Sequence, residues 1–174
     1  PKSSYGWQDE EWQREQKNYV TACANAIMGS AGQTYLGLRG ITSRQIKRYA
    51  LGYDATKHAI TIPYIAKTKV LTAVKFRRID PECDPKKRFW QLDGSQQVVF
   101  GAQHSGQSSR AILCEGELNA ISLDMALSGS FDVLSFGGHL MHENAIAVGK
   151  GYAGGLVWCD EIDKAKAIAD GIPG

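Results

Sequence analysis

The sequence has no apolar run of the roughly 20 residues that a membrane-spanning helix needs. Its first stretch, PKSSYGWQDEEWQREQ, is polar and lacks the apolar segment of a secretory signal. Neither membrane insertion nor secretion is expected, and a cytoplasmic setting is. Cysteine is scarce. Cys23, Cys83, Cys114 and Cys159 lie far apart, with no CxxC or CxxxxC pair. That spacing excludes a zinc ribbon and a disulfide framework. Cys114 and Cys159 close apolar runs and read as small buried residues. Repeats and low-complexity tracts are missing, and so is a large charge excess: the formal net charge is +2. What remains is 174 residues, 43% hydrophobic and 22% charged. Such a chain suits one soluble domain, or two small ones sharing a core.

The charge that is present is unevenly spread. Residues 67–88, KTKVLTAVKFRRIDPECDPKKR, hold eight Lys/Arg against three Asp/Glu. Residues 110–174 hold four against nine. A basic middle and an acidic end imply two surfaces with different partners, or two ordinary solvated faces.

Hydrophobic spacing predicts an amphipathic helix over 8–28, with Trp12, Tyr19, Cys23 and Ile27 on one side. Gly29-Ser30-Ala31-Gly32 ends it. A second helix is predicted over 42–52, with Thr42 and Gln45 as a capping box. The runs 59–65 and 70–79 read as a hairpin, and Pro63 marks the first as an edge or bulged strand. HSGQSSR (104–110) reads as a flexible connector. Beyond it the rhythm becomes strand 111–114, helix 118–129, strand 131–136, helix 141–149, strand 155–159, helix from 163. This β-α-β-α-β-α order predicts a parallel sheet with helical crossovers.

Ligands of open parallel sheets sit beyond the carboxyl ends of the strands. Glu115 and Glu117 follow the first of these strands, and Asp160, Glu161 and Asp163 follow the third. If the two strands are neighbours, five carboxylates reach one edge, and such crowding is stable only where cations join them. A hard divalent ion takes oxygen ligands of this kind, and Gly116 leaves room for close approach. The plainer alternative is that acidic residues at helix starts complement the helix dipoles. Gly137-Gly138 predicts a tight strand-to-helix turn whose N–H groups could face phosphate. His139 and His142 form an HxxH without an evident third ligand and read as polar residues at a helix start.

ILCEGELNAISL, then VLSFGG and LVWCDEIDKAKAIA, resembles the toprim domain shared by DnaG-type primases, type IA and II topoisomerases and some nucleases. Glu115-Gly116 matches the family's Glu-Gly. Glu161-Ile162-Asp163 matches its Asp-x-Asp with Glu in first place, or Asp160 fills that place with one residue inserted. The upstream segments YLGLRGITSRQIKRYALGYD and ITIPYI…KVLTAVKFRRID…KKRFWQLDGS…VFGA resemble the DnaG-type primase core, its phage and plasmid branch in particular.

The resemblance implies an α/β chain in three parts: an N-terminal helix and linker (1–32), a small mixed α+β basic subdomain (33–108) and a Rossmann-like toprim domain (109–174), C-terminally truncated. It implies template-directed synthesis of RNA primers on single-stranded DNA from ribonucleoside triphosphates. Mg²⁺ or Mn²⁺ would sit at Glu115, Asp160, Glu161 and Asp163, with Glu115, Glu161 and Asp163 catalytic and no zinc site. Arg39, Lys75, Arg77, Arg78, Lys86, Lys87 and Arg88 would hold phosphates, and Trp90, with Phe89, would stack on bases or pack in the core. A replicative helicase is the further partner implied. Three departures stand out: Asn119 replaces a family Asp, Glu161 replaces the first Asp of Asp-x-Asp, and Lys166 replaces a Gly. They point to weaker or lost metal binding and admit a non-catalytic, primase-derived nucleic-acid-binding module of a mobile-element protein. A toprim nuclease fits less well, because the upstream half is primase-like.

Overall fold

The computed structural model describes residues 6–127, 129–138 and 142–172. They fall into two compact units: Pro1–Tyr64 with Leu71–Gln96, and Ile65–Val70 with Gln97–Gly174.

The first unit begins with α1 (Glu10–Ala26). Its N-cap, Asp9, accepts the Glu11 N–H, and Glu10 and Glu11 complement the helix dipole. Val20 and Cys23 are its buried positions. The helix lies close against β1 (Gly52–Asp54) because position 52 has no side chain. A Cβ there would come within 2.6 Å of the Cys23 backbone.

Sequence spacing stops α1 at the glycine cluster and places nothing after it. The structure adds α2 (Ala31–Gly37), because Ser30 accepts the Gly32 and Gln33 N–H groups and starts a helix at once. The helix predicted over 42–52 is shorter, α3 (Ser43–Arg48). Its capping box does not form: the Thr42 hydroxyl donates to the Gln45 side chain and makes no bond to the backbone.

Strands β1, β2 (Ala59–Ile65), β3 (Leu71–Arg78) and β4 (Phe89–Gln91) lie side by side in that order. β1–β2 and β3–β4 are antiparallel. Pro63 therefore sits on an interior strand, which corrects the edge assignment. The reason is local: β1 begins only at Gly52, opposite Thr61, so its pairing with β2 does not reach position 63.

The second unit has the predicted alternation, each strand within one residue of its expected bounds. β5 (Arg110–Cys114), α4 (Glu117–Leu127), β6 (Asp132–Ser135), α5 (His142–Gly149), β7 (Gly154–Trp158) and α6 (Ile162–Ala169) follow in turn. The sheet order is β6-β5-β7, with both pairings parallel. Val99, Leu113, Leu134, Phe136, Ala145 and Ile168 form its core. The run around Val98–Ala102 contributes one antiparallel bridge, Phe100 to Ser135.

The segment read as a flexible connector is tied down. The buried Asp132 carboxylate accepts the backbone N–H groups of Gly106, Gln107 and Ser108 and the Tyr152 hydroxyl. Burial, followed by that bond to Asp132, pushes the Tyr152 phenol far above its ordinary pKa.

Candidate functional site

The basic residues of the first unit are sorted by the period-two alternation of β3. Lys75 lies opposite Gln91, Phe76 opposite Trp90, and Arg77 opposite Phe89. Directly opposed residues share a face, so Lys75, Arg77 and Phe89 stand on one side and Phe76, Arg78 and Trp90 on the other.

On the second of these sides, Trp90 stacks on the fully buried Phe76, with ring centroids 4.9 Å apart and planes 7° from parallel. The Arg78 guanidinium lies 5.4 Å over the Trp90 ring. Trp90 is thus packed against the core, and Arg78 covers it. Tyr19 closes on Phe76 from α1. Beside it, the buried Asp54 carboxylate accepts from the Tyr19 hydroxyl at 2.5 Å and from Lys57 Nζ at 2.5 Å.

On the Lys75 side the arrangement is open. Phe89 is 41% exposed. Lys75 Nζ lies 5.1 Å and the Arg77 guanidinium 4.8 Å from its ring centroid. Tyr35, on α2, brings in a further cation. Its hydroxyl accepts Arg77 Nε at 2.5 Å and Arg39 Nε at 2.9 Å. Arg39 sits four residues after Tyr35 and lies over its ring. Burial lowers the Arg77 pKa; the Tyr35 oxygen works the other way, and Arg39 and Arg88 depress it further. Two guanidiniums thus share the Tyr35 oxygen. No carboxylate pairs with either of them among the described residues. Such crowding is tolerable where an anion is to be held. Lys86 and Lys87 are exposed on the 3₁₀ turn Pro85–Lys87, beside Asp84, whose carboxylate accepts the Lys86 N–H.

Tyr35 is the contributor that residue-type reasoning passed over. Its signal was present: an aromatic four residues before an arginine, on a short helix.

In the second unit β5 and β7 are indeed neighbours, so Glu115 and the Asp160–Asp163 segment leave the sheet at the same edge. The backbone fixes Glu115 on both sides. Its N–H donates to the Trp158 carbonyl at 3.2 Å, and its carbonyl accepts the Ser135 hydroxyl at 2.9 Å. Its carboxylate meets Lys164 Nζ at 2.6 Å. The Lys164 side chain is only 4% exposed. Its ammonium lies 5.5 Å over the ring of the buried Phe136.

Asp160, Glu161 and Asp163 are exposed, and Glu161 occupies the N-cap of α6 without a side-chain cap bond. Glu117 is buried at the start of α4, while Asn119 is exposed. The Cys159 thiol registers the surrounding charge. Burial raises its pKa first, then the fields of Glu115, Asp160 and Glu161, while Lys164 lowers it. Burial likewise pushes the Cys114 thiol up to about 12, so neither is an activated thiolate.

A divalent ion would need several of these carboxylate oxygens at once. Among the described residues no three His, Cys, Asp or Glu side chains gather to hold a metal. The best-placed carboxylate, Glu115, is already matched to a buried ammonium. The donor set does not fit a divalent cation.

A Cβ at Gly116 would meet only the Asn119 side chain, at an ordinary 3.5 Å, so the turn has room. Gly137 and Gly138 have φ of +70° and +113°, which accounts for glycine at both. The Gly137 N–H donates to the Ser135 hydroxyl at 3.1 Å. His139 lies outside the described residues, as does the side chain of His142.

An antiparallel unit and a parallel three-stranded unit with acidic strand ends together define a mixed α/β core. The chain has the fold of DnaG-type primase catalytic cores. It superposes on the Aquifex aeolicus primase (zinc-binding and RNA polymerase domains) with a TM-score of 0.70 at 16% identity, over 92% of this chain and 50% of that one. A DnaG primase catalytic domain bound to single-stranded DNA gives 0.68 at 11%, over 91% and 65%. A DNA primase domain from Pseudomonas aeruginosa gives 0.68 at 13%, over 89% and 63%. The chain thus spans between half and two thirds of the length of these solved chains. No protein-family model and no curated protein sequence matches it. No helix among the described residues is long and apolar enough to cross a membrane.

Proposed function

We propose that this chain is a primase-like core that holds a single strand of nucleic acid on the Lys75 face of its antiparallel unit. The observation that carries this reading is the pair Arg39 and Arg77 on Tyr35, with Lys75 beside them at the exposed ring of Phe89. Guanidiniums take phosphates regardless of sequence, and an exposed aromatic offers a base a stacking surface. Fluorescence anisotropy with labelled single-stranded DNA over a range of salt tests it. Arg39→Ala and Arg77→Ala should each lower the salt slope by about 0.7. Phe89→Ala should cost about 1–3 kcal/mol, nearly independent of salt. Arg78→Ala and Trp90→Phe should leave the slope as it was, since those side chains face the core side. If both arginine variants keep the wild-type slope, the strand lies elsewhere.

A second reading is supported by the likeness to primase catalytic cores: synthesis of RNA primers on a single-stranded DNA template, from ribonucleoside triphosphates with Mg²⁺ or Mn²⁺, beside a replicative helicase. The toprim-like unit would then supply Glu115, Glu161 and Asp163. Their geometry argues for the binding reading over this one, because Glu115 is matched by Lys164 and the other two stand in solvent. Labelled ribonucleotide incorporation by wild type and Glu115→Gln separates the two readings. Absence of product from both supports the binding module; product lost only in Glu115→Gln supports the polymerase.

A further inference from the structure

Lys164 is a costly residue where it stands. It lies in the first turn of α6, where the helix dipole disfavours a cation. It is almost wholly buried, and burial disfavours an ammonium. Two features of the second unit offset this: the Glu115 carboxylate at 2.6 Å and the face of Phe136 at 5.5 Å. The ammonium therefore sits on a strand-end carboxylate whose backbone the sheet holds from both sides.

We propose that Lys164 is a built-in counterion, which takes at Glu115 the place that the charge of a hard divalent cation would otherwise fill. In the intact chain the edge then has no need of Mg²⁺ or Mn²⁺, and the pair holds the start of α6 to the end of β5. Removing the ammonium takes away the cation that Glu115 holds, so the net field at that edge turns negative and attracts a divalent cation more strongly. The inference does not depend on strand binding by the other unit, and neither readout below involves nucleic acid.

The test uses Mn²⁺ alone, followed by the loss of the free-ion EPR signal, with the full chain as wild type, Lys164→Met, Lys164→Arg and Lys164→Met/Glu115→Gln. Met keeps the volume and removes the charge. Lys164→Met should bind Mn²⁺ at least tenfold more tightly than wild type. The double variant should lose that gain, and Lys164→Arg should behave as wild type. A wild type that binds as tightly as Lys164→Met, or a folded Lys164→Met that gains nothing, overturns the proposal. Thermal melting with and without Mn²⁺ gives a second measurement, which holds even if Lys164→Met does not fold. A ligand that binds the folded state raises Tm. The proposal requires that Mn²⁺ leave the wild-type Tm unchanged while Glu115→Gln lowers it. A Tm raised by Mn²⁺ in wild type and not in Glu115→Gln makes Glu115 a metal ligand and overturns it.

Discussion

Arg77 and Arg78 are adjacent in sequence and differ in everything that matters to a ligand. One donates to Tyr35 on the open face; the other covers Trp90. Composition marks both as basic, and only the strand register separates them. The register was half legible: alternation in VLTAVKFRRI was readable, but the partner strand β4 is three residues long and left no periodic trace. Lys164 was less legible still, since it meets Glu115 across 49 positions, and only the β5–β7 adjacency brings them together. Asp54 makes a further residue-scale prediction. Burial alone would raise its pKa. The bonds from Lys57, Thr56 and Tyr19 outweigh that and hold it well below the ordinary carboxylate range. A carboxylate depressed in the folded state stabilises the fold above its unfolded pKa of about 3.9, and the benefit is lost as pH falls below that toward the folded value. Asp54→Asn should therefore cost about 1.5–3 kcal/mol at neutral pH, the worth of hydrogen bonds to a charged group. In denaturant melts the gap from wild type should hold down to about pH 5 and narrow below about pH 4. A gap that stays constant down to pH 3 would refute this assignment.

At the level of elements, the second unit was nearly transparent to sequence. Its strands are short apolar runs cut off by turn residues, and its helices carry their own start signals. The first unit was less so. α2 was hidden behind glycines that end α1, and β1 and β4 are too short to show a period. What sequence could not reveal at all was where backbones touch. β7 runs so close to β5 that a Cβ at Gly155 would collide with the Ala111 carbonyl oxygen. A carbonyl inside a ladder cannot step aside without breaking its own bonds, so the strain goes into the pairing. Gly155→Ala should destabilise the chain by about 1–3 kcal/mol, the usual cost of overpacking. Gly154→Ala, whose added carbon meets nothing within 4 Å, is the control and should cost far less. Thermal unfolding of the pair checks it: equal losses would mean that strand propensity, not close approach, governs both sites.

Over the whole molecule, a net charge of +2 hides a division of labour. The antiparallel unit holds fourteen basic and nine acidic residues, and the parallel unit six and nine. If net charge set affinity for a nucleic-acid strand, every reversal of a cation would count alike. If a local phosphate track sets it, position decides, because screening at ordinary salt confines an exposed charge to within about 10 Å. Two double variants separate these cases. Lys75→Glu/Arg77→Glu and Lys150→Glu/Lys166→Glu alter the net charge by the same amount. The first pair removes two cations from the face around Phe89. The second alters exposed residues of the parallel unit. With labelled single-stranded DNA, the first should lower the salt slope by about 1.4, twice the value for one single-strand phosphate contact, and the second should leave it where it was. Equal slopes for the two variants would mean that the strand responds to the overall field of the molecule, and the Lys75 face would lose its claim to be the binding surface.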